Sequence, residues 1–219
     1  MGVRHLTAAD SSRGRLITLE GGEGAGKTTL SRGLAAFLAG CGLPVLRTRE
    51  PGGSPGAEAV RRLVLGRGGW DPLAEALLMS AARREHIART VLPAMAAGIW
   101  VVSDRFADST AAYQGAAEGV SPEQCRSLAE LALGDLRPSL TLVLDVPAGT
   151  GTRRALARGD ANRFEGESAA FHARVRQAFL DIAAAEPERC VVLDGSAPVA
   201  AVLEAAQRAV GQRLGLSAP

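Results

Sequence analysis

Short unbroken apolar runs alternate along the chain with longer stretches in which apolar residues recur every three or four positions. The runs predict strands at 16–20, 44–49, 99–103, 140–146 and 190–194. Most are continuous rather than alternating, the pattern of strands covered on both faces. The periodic stretches predict helices at 28–39, 57–65, 72–97, 122–133, 149–157, 168–185 and 198–214. Gly40, Gly42 and Gly134 suit helix ends. Pro93 should kink or interrupt the third helical segment. Strands alternating with helices predict an α/β, three-layer fold, a five-stranded parallel sheet flanked by helices. With no repeat, linker or shift in composition, one domain over residues 15–214 is expected, behind a disordered extension at 1–14.

Composition narrows the function classes. A net charge of +2 over 219 residues excludes a strongly basic nucleic-acid platform and gives no acidic tail. No run approaches the roughly 18 apolar residues of a membrane span. Residues 1–13 are polar and lack the apolar core of a secretory signal, so a cytoplasmic protein is expected. Cys41, Cys125 and Cys190 form no CxxC pair and no metal-ligand spacing with His5, His86 or His172. They read as thiols in a reducing compartment. Among 25 Lys and Arg residues there is one lysine, Lys27. A chain that uses arginine everywhere else needs a compact ammonium at that one place.

Lys27 lies in Gly21-Gly22-Glu23-Gly24-Ala25-Gly26-Lys27-Thr28, which fits G-x-x-x-x-G-K-[ST] between a predicted strand and a predicted helix. Glycines let the backbone curl its N–H groups towards phosphate oxygens, and the helix start adds its positive end. Lys27 would bridge the β- and γ-phosphates, and the Thr28 hydroxyl would reach Mg²⁺. Asp104, at the end of the third apolar run, is a second candidate for Mg²⁺; a helix N-cap is its alternative. Gly52-Gly53-Ser54-Pro55-Gly56 fits a nucleophile-elbow pattern, but Pro55 has no N–H for an oxyanion hole, so a turn is expected. Lys27 occupies the final glycine position of a dinucleotide fingerprint, which excludes that class. A GTPase would need N-K-x-D, and the one asparagine, Asn162, precedes an arginine. A small phosphotransferase remains.

Other segments carry a resemblance. Thr48-Arg49-Glu50-Pro51-Gly52-Gly53 follows the second predicted strand, and Ala82-Arg83-Arg84-Glu85-His86 lies in the long helical segment. Asp104-Arg105-Phe106 leads into Ser109-Thr110-Ala111-Ala112-Tyr113-Gln114-Gly115, and an arginine-bearing stretch runs from Arg153 to Glu165. With Glu23 in the loop, these resemble the thymidylate kinases (dTMP kinases) over nearly the whole chain, in the bacterial form with arginines in the lid rather than the phosphate loop. The resemblance implies a P-loop nucleoside-triphosphate hydrolase-like fold with a lid at about 153–167. It implies Mg²⁺-assisted transfer from ATP to dTMP, giving dTDP for dTTP biosynthesis, and a homodimer. Another nucleoside or nucleoside-monophosphate kinase is the alternative.

Residue roles follow from the same resemblance. Gly21, Gly22, Glu23, Gly24, Ala25, Gly26, Lys27, Thr28 and Thr29 would bind ATP. Glu23 would approach the deoxyribose 3′-hydroxyl. Arg49, Arg61 and Arg105 would surround the dTMP phosphate, where planar forks suit a dianion. Arg83, Thr110 and Gln114 would lie around thymine, with Tyr113 nearby. Met79 stands where many members place a phenylalanine against the base. Gly24 stands where another branch carries a loop arginine, so charge would come from the lid, with Arg153, Arg154, Arg158 and Arg163. Lys27, Arg105, Arg158 and Arg163 form the implied catalytic set, with Thr28 and Asp104 towards the metal.

Overall fold

The computed structural model describes residues 13–66, 68–156 and 163–216. Five parallel strands form one sheet in the order β2-β3-β1-β4-β5: β1 Leu16–Glu20, β2 Val45–Arg49, β3 Trp100–Asp104, β4 Leu140–Asp145 and β5 Cys190–Asp194. β1 is central and every residue in it is buried. Ile17, Leu19, Leu140, Leu142 and Val102 pack on one face with α1 (Lys27–Gly40) and α9 (Val199–Leu214). Leu16 and Val101 point the other way, onto Ile87, Val91 and Phe106. Two-sided burial is why these strands are continuous apolar runs.

Five further helices flank the sheet: α2 Pro55–Gly66, α3 Pro72–His86, α4 Leu92–Ala96, α6 Pro122–Leu133 and α8 Ala169–Ala185. Local chemistry sets several of their starts. Asp71 accepts from the N–H groups of Leu73 and Ala74 before α3, and Ser121 with Gln124 forms a capping box before α6. Pro72 and Pro122 occupy first helical positions, where no N–H is required. The interruption expected at Pro93 takes the form of a π-helical turn, Ile87–Val91, joining α3 to α4.

Three expectations need correction. Gly14, assigned to the extension, is buried, and its N–H donates to the Met95 carbonyl at 2.9 Å. A Cβ there would meet the Ile99 carbonyl, so Gly14 is packed into the domain; residues 1–12 lie outside the described residues. β3 begins at Trp100 rather than Ile99, because the Ile99 N–H closes the preceding helix on the Ala94 carbonyl. Residues 107–117, given no element from sequence, form a short helix α5 (Ala107–Thr110) running into a π-helical segment, Ala111–Ala117. Its leading N–H groups are met by Glu20 of β1, a partner that local sequence does not reveal. At the elbow-like motif, Ser54 leads directly into α2, its carbonyl accepting from the Glu58 N–H.

Candidate functional site

The carboxyl ends of β1, β2 and β3 open onto a cavity of about 470 Å³. Parallel α/β sheets place ligands at this end of their strands. One end of the cavity is the loop between β1 and α1, represented by Glu23, Gly24, Ala25, Gly26, Lys27, Thr28 and Thr29. The other holds Arg49, Arg61, Met79, Arg83, Arg105, Thr110, Tyr113 and Gln114. Gly21 and Gly22 contribute from behind: their carbonyls accept from Lys27 Nζ at 2.9 and 2.7 Å. Burial, then the nearby Arg105 charge, pushes the Lys27 ammonium down to about 8. An incoming phosphate would reverse that by supplying negative charge.

Thr28 Oγ1 donates to Asp104 Oδ2 at 2.5 Å, so a hydroxyl and a carboxylate oxygen meet beside the loop. Hard oxygen donors of this kind fit Mg²⁺, which takes few protein ligands and completes its shell with phosphate oxygens and water. Gly24 has φ +69°, and a Cβ there would run into the Gly151 carbonyl of α7 (Ala148–Leu156). The loop arginine of the other branch therefore has no room in this arrangement.

Arg105 is the centre of the arginine-rich end of the cavity. It has φ 72°, the only positive φ at a non-glycine residue among those described. Such a conformation persists where the surroundings over-determine it. Its own N–H bonds the Leu19 carbonyl, Ser103 Oγ donates to its carbonyl, and the next N–H, of Phe106, donates to Glu20 Oε1 at 2.8 Å. The guanidinium then reaches Glu23 Oε1 at 2.6 Å and the Tyr113 hydroxyl at 3.0 Å. Burial opposes charge on Glu23, but Arg105 and then Lys27 outweigh it and hold the carboxyl below its usual range. Glu20 is fully buried; burial, with Asp108 adding to it, raises its carboxyl to about 7.

Arg61 gives an N–H to the Pro51 carbonyl at 2.7 Å, while Arg49, half-exposed, is held by Glu58 at 2.9 Å. Burial and then the neighbouring Arg49 lower the Arg61 pKa, with Glu58 and Asp104 opposing them. Arg83 is largely committed within the protein: it donates to Glu50 at 2.7 Å, Thr110 at 3.0 Å and the Phe106 carbonyl at 2.9 Å. Glu50 also meets His86 Nδ1, and His86 Nε2 meets Thr48, so a buried relay braces the cavity wall. Gln114 Nε2 donates to Glu75 Oε1 at 2.6 Å. Met79 packs with Tyr113 and Phe164, whose rings meet edge-on at 5.1 Å.

Sequence reasoning missed Glu20, Glu50, Glu75 and Phe164 as parts of this site. A glutamate closing an otherwise apolar strand was a usable signal for Glu20. Glu75, an acid in a first helical turn, gave none, since such acids are ordinary there. Of the lid arginines, Arg154 donates to the Gly195 carbonyl at 2.9 Å, away from the cavity, and Arg153 is exposed. Arg158 lies outside the described residues; Arg163 opens the 3₁₀ turn Arg163–Gly166.

The family profile described as thymidylate kinase matches residues 19–206. A thymidylate kinase of Caulobacter vibrioides is 52% identical over 207 residues, covering 94% of this chain and 100% of that protein. One from Afipia carboxidovorans is 48% identical, covering 99% and 97%. The crystal structure of thymidylate kinase from Ehrlichia chaffeensis superposes with a TM-score of 0.76 at 33% identity, covering 90% of this chain and 99% of that one. With matches spanning almost the full length of both partners, and with the phosphate loop and the arginine-lined cavity inside the matched region, the chain belongs to the thymidylate kinase family.

Proposed function

We propose that the protein transfers the γ-phosphoryl group of ATP to dTMP, giving ADP and dTDP. One observation carries the proposal: a single cavity joins a phosphate loop to a cluster of arginines and to the Met79, Phe164 and Gln114 side chains. The loop backbone and Lys27 would hold the donor phosphates. Arg49, Arg61 and Arg105 would hold the acceptor phosphate, and Met79, Phe164, Arg83, Thr110 and Gln114 would line the base. Glu23, anchored by Arg105 and Tyr113, would face the 3′-hydroxyl. An oxygen of the acceptor phosphate attacks the γ-phosphorus as the bond to the β–γ bridging oxygen breaks. The acceptor's second pKa is about 6, so it arrives anionic and needs no strong base. Positioning and charge neutralisation supply the catalysis. Thr28 and Asp104 would hold Mg²⁺, which when bound neutralises charge on the phosphates.

Lid arginines Arg158 and Arg163 would supply the remaining positive charge, since Gly24 leaves the loop none. A homodimer is part of the same proposal; Leu63 of α2 and Leu77 of α3, about half-exposed on adjacent helices, offer it an apolar face. The cytoplasm is the proposed location. The test is kcat/KM for dTMP, dUMP, UMP and dCMP at saturating ATP and Mg²⁺. The expected order places dTMP first, dUMP next and the other two far behind; loss of the thymine methyl alone is worth roughly 1 kcal/mol. Equal use of dCMP or UMP would replace the assignment with a broader monophosphate kinase.

A further inference from the structure

Gln114 is 2% exposed and Glu75 is 1% exposed, so their contact is made inside the protein. Gln114 sits on the π-helical segment, Glu75 in the first turn of α3, and the 2.6 Å contact joins Nε2 of one to Oε1 of the other. A primary amide has two faces, one that donates and one that accepts, and a half-turn of the end group exchanges them. Next to a neutral neighbour either orientation would serve. A carboxylate removes that freedom, because it accepts and cannot donate. Turning the amide over would set two acceptor oxygens against each other in a buried place.

We propose that Glu75 decides which base the protein accepts, by holding Gln114 so that its carbonyl oxygen is the atom offered to the base. Gln114 lines the cavity, and among the described residues that oxygen has no partner. A fixed acceptor at this place selects a ring that presents an N–H. Thymine and uracil carry one at N3; cytosine carries a lone pair there and is repelled. The discrimination is therefore against cytosine, and it leaves thymine and uracil to be told apart by the methyl group. Glu75 is a positioning residue: it acts through Gln114 and does not touch the acceptor. The inference rests on the proposed dTMP-phosphorylating reading of the cavity.

Glu75→Gln tests it. The variant keeps the shape and one oxygen, but a pair of amides can turn over together, so residue 114 offers a donor in one arrangement and an acceptor in the other. The expected result is a gain: kcat/KM for dCMP rises while that for dTMP falls modestly, and the dTMP-to-dCMP ratio drops by roughly tenfold or more. General damage to the fold would lower both substrates together and could not raise dCMP. A ratio unchanged from the parent, in a variant with the parent's Tm, overturns the inference and leaves the functional reading standing. A parent enzyme that already prefers dCMP overturns the functional reading itself. Should Glu75→Gln fail to fold, the ¹⁵N-labelled parent decides: one Gln114 side-chain amide proton should lie downfield and exchange slowly. Two ordinary, rapidly exchanging protons there overturn the inference.

Discussion

Lys27 shows how one residue type is forced on one place. Its ammonium sits among loop carbonyls with almost no exposure, and a compact three-donor head satisfies them. A planar guanidinium is wider and cannot be folded into the same loop. Lys27→Arg should therefore lose most of the activity, by a factor on the order of 10² or more in kcat, close to the loss in Lys27→Ala. Near-parental turnover in the arginine variant would show that charge alone is enough. Glu20 acts on the other key cation indirectly, by accepting the Phe106 N–H and so holding Arg105 at positive φ. Glu20→Ala should cost more in kcat/KM for dTMP than in KM for ATP; the reverse split would detach Glu20 from Arg105.

The pH dependence of Glu20 has a definite sign. Its carboxyl is raised from 4.5 to about 7, so between those values the folded protein binds the proton and the unfolded chain has lost it. Its contribution to stability is full below about pH 4.5 and is lost as pH rises through 7. Glu20→Gln removes that dependence. Relative to the parent, the variant should gain stability between pH 5 and pH 8, by on the order of 2–3 kcal/mol. Urea midpoints of the two proteins at both pH values measure it, and a constant difference would refute the buried, raised carboxyl.

At the scale of elements, two glycines set how the loop meets α7. A Cβ on Gly24 would strike the Gly151 carbonyl, and one on Gly151 would lie 2.3 Å from the Glu23 carbonyl. Backbone meets backbone there, so the loop and α7 fix each other's position. Gly151→Ala needs no unusual φ, yet it must push α7 away from the loop. It should lower ATP affinity and kcat, while Tm falls by only a few degrees. Gly24→Ala adds the penalty of a left-handed backbone and should be destabilised by more than about 1 kcal/mol. If Gly151→Ala binds ATP as the parent does, the contact has no functional weight. The π-helical segment is a second such device: its wide turns carry Tyr113 towards Glu23 and Gln114 towards Glu75 from one short stretch.

On the scale of the whole molecule, the sheet brings the phosphate loop and the arginines to one end, and the proposed lid would supply the remaining charge. With no side chain at Gly24, one of Arg158 and Arg163 should be essential. Its alanine variant is expected to lose kcat by roughly 10² or more, with a smaller change in KM for dTMP. Retention of most of the kcat by both single variants would mean that the transferred charge is met elsewhere. Leu77→Glu probes the proposed dimer: light scattering should find dimers for the parent and monomers for the variant. A monomeric parent would remove the dimer from the proposal.

Sequence by itself determined what is local. The phosphate loop was legible because its glycines, lysine and threonine act within eight consecutive positions, between a strand and a helix whose own patterns are periodic. Strands β1, β3 and β4 were legible because burial on both faces writes itself as a largely apolar run, while the edge strands β2 and β5 are only partly buried and carry a weaker form of the same pattern. The 107–117 segment was not legible, because its start is stabilised by a carboxylate 86 positions away in the chain rather than by a neighbouring cap. Tertiary structure alone decided the pairings that shape the cavity: Glu20 with the Arg105 turn, Glu50 with Arg83 and His86, Glu75 with Gln114, Gly24 with Gly151. Each joins distant residues whose individual types are ordinary at their own positions. An acid in a helix's first turn or a glycine in a helix carries no mark of its partner, and only the packing of sheet against helices creates the low-dielectric setting in which such a contact becomes costly to break.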